Sequence, residues 1–165
     1  MVKLVSITQG ADELINKNAQ EVIGFVARVS NPNNQMNFDT VSGLLRYCIQ
    51  NHHWSIFEHA FMTVEITTTM PIAEQMLRHR SFTFQKFSHR YAQALKYIPQ
   101  QARRQDTTNR QNSIDDLDTQ TKRWFLDTQE EIWNLAFNKY QNALAMGIAK
   151  ECARFLLPAN LATTM

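Results

Sequence analysis

The segment RHRSFTFQKFSHRY, residues 78–91, concentrates positive charge among aromatic rings. Its cations are Arg78, Arg80, Lys86 and Arg90. No carboxylate accompanies them, and the wider stretch from residue 75 to residue 105 has seven Lys or Arg and no Asp or Glu. Three phenylalanines favour burial of the segment, and a partly buried cation without a partner is costly. We therefore expect an anionic ligand here, with a solvated basic surface as the alternative that composition alone favours.

The chain has only four glycines, at positions 10, 24, 43 and 147, and none of them cluster. This excludes the P-loop and the dinucleotide-binding fingerprint, which need clustered glycines so that backbone can approach phosphate. A bound phosphate must therefore be held by side chains. Arginine suits that task because its planar guanidinium donates paired, charge-assisted hydrogen bonds. The arginines available in the segment are Arg78, Arg80 and Arg90.

Helical spacing and strand alternation predict which of these side chains share a face. If a helix runs through Arg78 and Arg80, positions i and i+2 diverge, so the two can serve different ligands. Gln75 lies three positions before Arg78 and shares its face. If the chain is extended at Ser88 and Arg90, those two side chains point to one side.

All five histidines lie between residues 52 and 89, and such a concentration could indicate a metal site. HHWSIFEH, at 52–59, has neither the His-x-x-x-His helical spacing nor a thiolate, so we predict no metal there. A Ser88–His89 nucleophile pair is also disfavoured, because adjacent residues of an extended chain point to opposite sides. Loop or core histidines are the expectation for each one individually.

Arg154 is a further candidate anion ligand in the C-terminal helical pattern IAKECARFLL, at 148–157. Lys150 lies four residues earlier and shares its face. The opposite face is predicted to be buried, and it consists of Ala149, Cys152, Ala153 and Leu156. A solvent-exposed Lys–Arg surface pair is the alternative interpretation.

The elements that must position these residues mix strands with helices. The patterns predict strands at 2–8 and 61–69 and helices at 11–30, 41–49, 71–80, 113–146 and 148–157. The segment 81–87 fits a short strand or an extended loop, and 97–112 is predicted to be irregular and mobile. In the long helix Ile132, Leu135, Ala136, Ala143 and Leu144 share one face, and Gly147 can end it. We predict an α+β fold, a helix-rich single domain over 1–165 with a small antiparallel or mixed sheet.

Bulk properties narrow the class of protein. The net charge is only +2 and its asymmetry is local, which disfavours a nucleic-acid binder with its broad basic footprint. No apolar run is long enough to cross a bilayer, and the start lacks the apolar core of a secretory signal. Cys48 and Cys152 lie far apart among apolar neighbours and are predicted to be buried thiols. These features predict a cytoplasmic protein.

Several motifs of the chain together match those of one known family. Residues 78–80 are Arg-His-Arg, followed by seven residues and Ser88, which resembles the R-H-R-x7-S signature of the flavin-dependent thymidylate synthases (ThyX). Residues 88–91 resemble its S-x-R-Y motif. Upstream, Ala27–Ser30 and Phe57–His59 are similar to family segments, as are Ala153–Arg154 and Leu157–Asn160 downstream. The resemblance spans most of the chain in the family's order.

The resemblance implies an enzyme that transfers a methylene group from methylenetetrahydrofolate to C5 of dUMP. FAD, reduced by NADPH, would supply the hydride that completes the methyl group of dTMP. The family forms homotetramers whose active sites combine several subunits. The alternative is a truncated, inactive relative that binds nucleotide or flavin without turnover.

The resemblance also assigns roles to residues of this chain. It implies a dUMP site formed by Gln75, Arg78, Lys86, Phe87, Ser88, His89, Arg90 and Arg154. It implies FAD contacts from His53, Ser55, Arg78, His79, Arg80 and Lys86. Ser88 would position the nucleotide and form no covalent adduct. No metal ligand is implied.

Two departures from the family pattern stand out. Lys86 occupies a position where the family typically carries Glu, which changes the local charge by two units. The alternative is that backbone makes the contact there and the side chain is tolerated. Family members also continue for several dozen residues past the position of Met165, including an arginine that acts on the uracil ring. We therefore expect no assignable catalytic residue in this chain.

Overall fold

The computed structural model of the chain describes residues 1–165, which divide into two compact units. One unit comprises residues 2–65, and the other comprises residues 66–165 together with Met1. The fold is α+β, as predicted, and that it forms one domain stays a prediction. None of its helices has the length and apolar character required to cross a membrane.

The unit at 2–65 contains strand β1 (Val2–Ile7), helices α1 (Ala19–Ala27) and α2 (Val41–Gln50), and the start of strand β2 (Met62–Thr69). A 3-10 helix at Ser55–His59 occupies part of the predicted HHWSIFEH loop. Helix α1 packs closely on α2, because a Cβ at Gly24 would come within 2.5 Å of Val41 Cγ2. A side chain larger than hydrogen at position 24 would force these helices apart.

The helix predicted over 11–30 was wrong in its first half. Asn18 begins α1 with a capping box: its side chain accepts hydrogen bonds from the Gln20 and Glu21 backbone, and the Glu21 carboxylate accepts from the Asn18 N–H. Just upstream, Asn16 has a positive φ of 69°, which interrupts a helix. Only a short 3-10 helix at Asp12–Leu14 precedes it.

The unit at 66–165 contains the end of β2, helices α3 (Met70–Leu77), α4 (Thr119–Ala145) and α5 (Lys150–Ala153), and strands β3 (Arg104–Gln105), β4 (Ser113–Ile114) and β5 (Ala162–Thr164). The strand order around β2 is β1-β2-β5. Strand β5 pairs antiparallel with β2, with Thr67 opposite Thr164 and Thr69 opposite Ala162. The Met1 ammonium donates a hydrogen bond to the Thr67 carbonyl oxygen at 2.9 Å.

Helix α4 supplies the hydrophobic core of this unit. Tyr140 is fully buried, and Trp133 stacks between Tyr97 and Phe137 with ring centroids 5.1 and 5.2 Å apart. The Tyr140 hydroxyl accepts a hydrogen bond from the Ala94 N–H at 3.3 Å. Ala153 and Leu161 complete the buried cluster.

The apolar face predicted for α4 is buried only in part: Leu144 packs against the core, whereas aromatic residues elsewhere on the helix determine its orientation. Ile132 and Leu135 are 51% and 61% exposed, and of the predicted face only Ala143 is fully buried. The helix also starts later than predicted, at Thr119, since the Asp118 side chain accepts a hydrogen bond from the Thr121 N–H. Its predicted end is confirmed by Gly147, whose φ is +82°.

Three further expectations required correction. The stretch predicted to be irregular contains part of a β3–β4 hairpin, with Arg104 opposite Ile114. The last helix is much shorter than predicted: α5 has four residues and continues as a 3-10 helix at Arg154–Leu156. Its expected buried face reduces to Ala153, and Cys152 is exposed whereas Cys48 is buried.

Candidate functional site

The segment 78–91, called the cationic segment below, begins where α3 ends. The helix predicted to run through Arg80 stops at Leu77, and the Arg78 N–H bonds the Gln75 carbonyl as the helix terminates. We had expected helical spacing to set the directions of Arg78 and Arg80. Because the helix ends before them, it does not. Gln75, Arg78, His79 and Arg80 are all exposed, so their polar groups are open to a ligand.

The loop that follows α3 presents aromatic rings next to these cations. The chain from Phe82 to Ser88 has no regular secondary structure, which matches the extended-loop alternative. His79 stacks on Phe82 with ring centroids 4.0 Å apart, and Phe84 meets Phe82 edge-on at 6.0 Å. The expectation that the rings bury the segment fails for Phe82 and Phe87, which are 62% and 41% exposed. A flat aromatic surface thus lies beside the Arg-His-Arg motif.

The second half of the segment is anchored to β5 and then turns. The Phe87 N–H donates to the Thr164 carbonyl at 2.8 Å. The Ser88 carbonyl accepts hydrogen bonds from the Tyr91 and Ala92 N–H groups at 3.2 and 3.1 Å, which closes a turn. Residues 88–90 are therefore not extended, and the predicted alternation of Ser88 and Arg90 is wrong.

His89 is the buried member of this turn. It is only 4% exposed, and its ring meets Phe87 edge-on with centroids 4.9 Å apart. Neither ring nitrogen has a hydrogen-bond partner. Burial lowers the pKa of His89, and the positive charges of Lys86 and Arg154 lower it further. The imidazole is therefore neutral at neutral pH.

Helix α5 brings a second group of polar residues to the segment. The Glu151 carboxylate accepts a hydrogen bond from Arg90 Nε at 2.9 Å, and Lys150 Nζ donates to the Tyr91 carbonyl at 3.1 Å. Arg154 Nε donates to the Glu151 carbonyl at 3.2 Å. The structure therefore places Arg154 near the cationic segment, as the sequence hypothesis required, through a tertiary contact between distant parts of the chain.

Glu151 was missed in the sequence analysis. It is the only acidic residue between Ala136 and Met165, and it is the ion-pair partner of Arg90. Its position between Lys150 and Arg154 was the available signal. A shallow cavity of about 440 Å³ lies beside Arg90, lined also by Gln93, Leu144, Gly147, Ile148, Ala149 and Lys150.

Several cations of the site have no carboxylate partner. Arg78, Arg80, Lys86 and Arg154 form no ion pair, in contrast to Arg90. The guanidinium of Arg154 lies 5.3 Å from the centroid of the Phe155 ring, which is an additional contact for the cation. The local field is thus strongly positive and suits a bound anion.

The unit at 2–65 holds the remaining predicted residues, His53 and Ser55, both of which are exposed. The His53 N–H bonds the Cys48 carbonyl at 2.9 Å, and the His53 ring meets Tyr47 edge-on at 6.0 Å. This places His53 at the end of α2 and Ser55 at the start of the following 3-10 helix. Within this unit, the two residues are separated by a single residue along the chain.

The same unit contains a cavity of about 580 Å³ next to the Ala27–Ser30 motif. Arg28 is 7% exposed and donates hydrogen bonds to the Asn37 carbonyl and, at 2.7 Å, to Thr40 Oγ1. These bonds fasten the end of α1 to the start of α2. Arg28 therefore has its own internal partners and organises the wall of the cavity.

Comparison with known proteins identifies the family. The family model described as "Thymidylate synthase complementing protein" matches residues 4–165. A probable flavin-dependent thymidylate synthase of Paramecium bursaria Chlorella virus 1 is 52% identical over 164 residues, which cover 99% of this chain and 76% of the relative. The chain belongs to the flavin-dependent thymidylate synthase family.

One further relative and one solved structure support this assignment. A flavin-dependent thymidylate synthase of Synechocystis is 53% identical over 144 residues, covering 87% of this chain and 66% of the relative. The solved UMP/dUMP methylase PolB from Streptomyces cacaoi, bound with 5-Br dUMP, matches with a TM-score of 0.79 and 25% identity over 99% of this chain and 69% of that one. This chain thus spans about two thirds to three quarters of the lengths of these proteins.

Proposed function

We propose that this chain is a flavin-dependent thymidylate synthase that methylates dUMP to dTMP. Methylenetetrahydrofolate is the carbon donor, and NADPH reduces the bound FAD. The proposal depends on the group of cations at 78–90 and 154. Of these, only Arg90 is paired with a carboxylate, and the chain belongs to this family. Such a group can hold a phosphorylated ligand by its side chains. Because the chain has no glycine-rich loop whose backbone could bind phosphate, side chains must do so.

The dUMP site is proposed to use residues from α3, the turn at 88–91 and α5. Arg90 and Arg154 bind the phosphate, because both approach the turn and arginine donates paired hydrogen bonds to phosphate oxygens. Gln75, on the last turn of α3, and Arg78, which follows the end of that helix, orient the nucleotide. Ser88 contributes its hydroxyl. The remaining residues of this site are Lys86, Phe87 and His89.

The FAD site is proposed to use the Arg-His-Arg motif and residues 53–55. FAD carries two phosphates and a flat ring system, and this chain offers two unpaired guanidinium groups beside the stacked His79 and Phe82 rings. The residues therefore fit the group. When bound, the flavin supplies the hydride for the methyl group. Arg78, His79 and Arg80 hold its anionic portion, and Lys86, His53 and Ser55 make further contacts.

Assembly and location are further parts of the proposal. Homotetramers with shared active sites would complete a site to which one chain contributes only part. Folate binds at the same shared site. A reducing compartment such as the cytoplasm agrees with Cys48 and Cys152 as free thiols.

The proposal is tested with the purified chain, first by its absorbance spectrum and then by assay. We expect flavin absorption bands that change when dUMP is added. We also expect NADPH oxidation coupled to dTMP formation once methylenetetrahydrofolate is supplied. Omitting dUMP or the folate is the matched control for each reactant.

The outcomes separate the two hypotheses drawn from the sequence. Colourless protein that binds neither FAD nor dUMP overturns the proposal for this chain. Binding of dUMP with no dTMP formed indicates instead a relative that binds nucleotide without turnover. Binding is therefore measured by calorimetry on the same preparation used for the assay.

A further inference from the structure

Glu151 holds two arginines of the proposed dUMP site, each by the same nitrogen. Its carboxylate accepts a hydrogen bond from Arg90 Nε at 2.9 Å, and its backbone carbonyl accepts one from Arg154 Nε at 3.2 Å. The terminal nitrogens of the two guanidinium groups make no hydrogen bond within the chain. A guanidinium has N–H donors on its terminal nitrogens as well as on Nε, so those donors are available to a ligand.

Helix α5 is joined to the turn at 88–91 at a second point, next to the first. Lys150 Nζ donates a hydrogen bond to the Tyr91 carbonyl at 3.1 Å. Lys150 and Glu151 are neighbours in the sequence, and they contact Tyr91 and Arg90, which are also neighbours. One bond fixes the backbone of the turn against α5, and the other fixes the Arg90 side chain. Arg90 is therefore held in place before a ligand binds.

The Arg90 side chain remains accessible in spite of this ion pair. It is 58% exposed and borders the cavity of about 440 Å³ described above. A water molecule occupies about 30 Å³ in the liquid, so this cavity has room for a phosphate group beside the guanidinium. Ordering a free arginine on binding costs free energy, and a side chain that is already ordered avoids most of that cost.

The Glu151 carboxylate has two opposing effects on an anion bound at Arg90. Its negative charge repels the anion. Its oxygen orients the guanidinium and so lowers the entropy cost of binding. Water and salt screen the repulsion because the groups are exposed, whereas the entropy cost is not screened. We therefore expect the orienting effect to be the larger of the two.

We propose that Glu151 is a positioning residue, which holds Arg90 through Nε and presents its terminal amino groups to the phosphate of the nucleotide. This inference rests on the proposed dUMP site and names a residue that organises it. Glu151 stays bonded to Arg90 in the complex and does not touch the ligand. Its backbone carbonyl acts in the same way on Arg154.

The test compares Glu151→Gln with Glu151→Ala by calorimetry of dUMP binding to the full chain. Both substitutions remove the same negative charge, but glutamine keeps an oxygen that can accept a hydrogen bond from Arg90 Nε. We expect Glu151→Ala to bind dUMP about threefold to tenfold more weakly than Glu151→Gln. In an Arg90→Ala background the two substitutions should give equal affinities, because the side chain that they orient is gone.

Glu131→Ala is the matched control for the loss of a glutamate. Glu131 is an exposed residue of α4 that forms no ion pair. Its substitution should leave the dUMP affinity equal to that of wild type. A loss as large as that of Glu151→Ala would show that net charge, and not the contact with Arg90, sets the affinity.

A second measurement separates positioning from a general structural role. Deoxyuridine has the base and sugar of dUMP without the phosphate. We expect the difference between Glu151→Gln and Glu151→Ala to appear with dUMP and with inorganic phosphate, and to vanish with deoxyuridine. The melting temperatures of both variants should lie close to that of wild type, because exposed ion pairs contribute little to stability.

Three results would overturn the inference. The first is equal dUMP affinity of Glu151→Gln and Glu151→Ala. The second is tighter binding by Glu151→Ala than by wild type, which would show that the carboxylate competes with phosphate for Arg90. The third is an equal difference between the variants with deoxyuridine, which would show a general loss of structure.

The failure of this inference is distinct from the failure of the proposed function. If wild type binds dUMP and the two variants bind it equally, only the role of Glu151 is lost. If wild type binds neither dUMP nor inorganic phosphate, the anion site and this inference are both overturned.

Discussion

Two regions of the molecule are rich in arginine and differ in how those arginines are paired. In the β3–β4 hairpin and its flanks, Arg103 faces Asp115 at 3.9 Å, and Arg104 Nε donates to the Asp116 carboxylate at 2.9 Å. In the cationic segment, Arg78 and Arg80 form no ion pair. The hairpin arginines are therefore neutralised by carboxylates that lie nearby in the chain, whereas the segment holds charge that its own residues do not neutralise.

The pKa values of the hairpin groups reflect this pairing. A hydrogen bond from Arg104 lowers the pKa of Asp116, and one from Lys122 lowers the pKa of Asp115. In the segment the pKa of His89 is also lowered, but by burial first and then by the positive charges of Lys86 and Arg154, which oppose a further positive charge. Arginine number alone therefore does not distinguish the two regions, whereas the presence of nearby carboxylates does. A binding site for an anion is indicated where cations gather without them.

The largest expected effect is on nucleotide binding by Arg154→Ala. Loss of a charge-assisted hydrogen bond to phosphate should weaken dUMP binding about tenfold to hundredfold by calorimetry. Arg104→Ala is the matched control, because it removes an arginine whose partner lies within the hairpin. Equal losses in the two variants would show that only net charge matters and would remove the contrast between the regions.

A smaller effect is expected from Lys86→Glu, which restores the residue typical of the family. Because the Lys86 charge lowers the pKa of His89, its reversal should raise that pKa, as followed by NMR titration of the free protein. The same change should weaken dUMP binding about twofold to fivefold by adding negative charge near the phosphate. An unchanged His89 titration would mean that Lys86 points away from the ring.

The pH dependence of stability gives a third test. Since the pKa of His89 is lowered in the folded state, unfolded chains bind a proton there as the pH falls below about 6.5, whereas folded chains do not. Stability is therefore lost with falling pH, beginning near that value. Between pH 7.5 and pH 5.5, without phosphate, the melting temperature of wild type should fall about 1–3 °C more than that of His89→Gln. Parallel curves for the two proteins would contradict a neutral buried imidazole.

The smallest effect is expected in the hairpin. Asp116→Asn removes the partner of Arg104 at an exposed position, where ion pairs contribute little to stability. The dUMP affinity should stay within about twofold of wild type, because the freed arginine lies outside the proposed site. A marked gain of anion binding by the hairpin would show that unpairing an arginine is sufficient to create a site.

Local signals predicted those parts of the fold that depend on neighbouring residues. Alternation identified β1 and β2, Pro71 lies in the first turn of α3, and Gly147 ends α4. Predictions failed where a distant contact decided the outcome. The buried face of α4 is set by Trp133 and Tyr140, because large aromatic rings bury more surface than the aliphatic positions predicted.

The sequence by itself determined the family, through the Arg-His-Arg and Ser-x-Arg-Tyr motifs, and the excess of cations at 75–105. These depend only on residue type and spacing. Tertiary structure alone decided that Glu151 pairs with Arg90 and that His89 is buried with both ring nitrogens unpaired. The physical reason is that burial and ion pairing depend on which segments meet in space. Arg90, in the turn, and Glu151, in α5, are 61 residues apart in the sequence, so local patterns could not predict their contact.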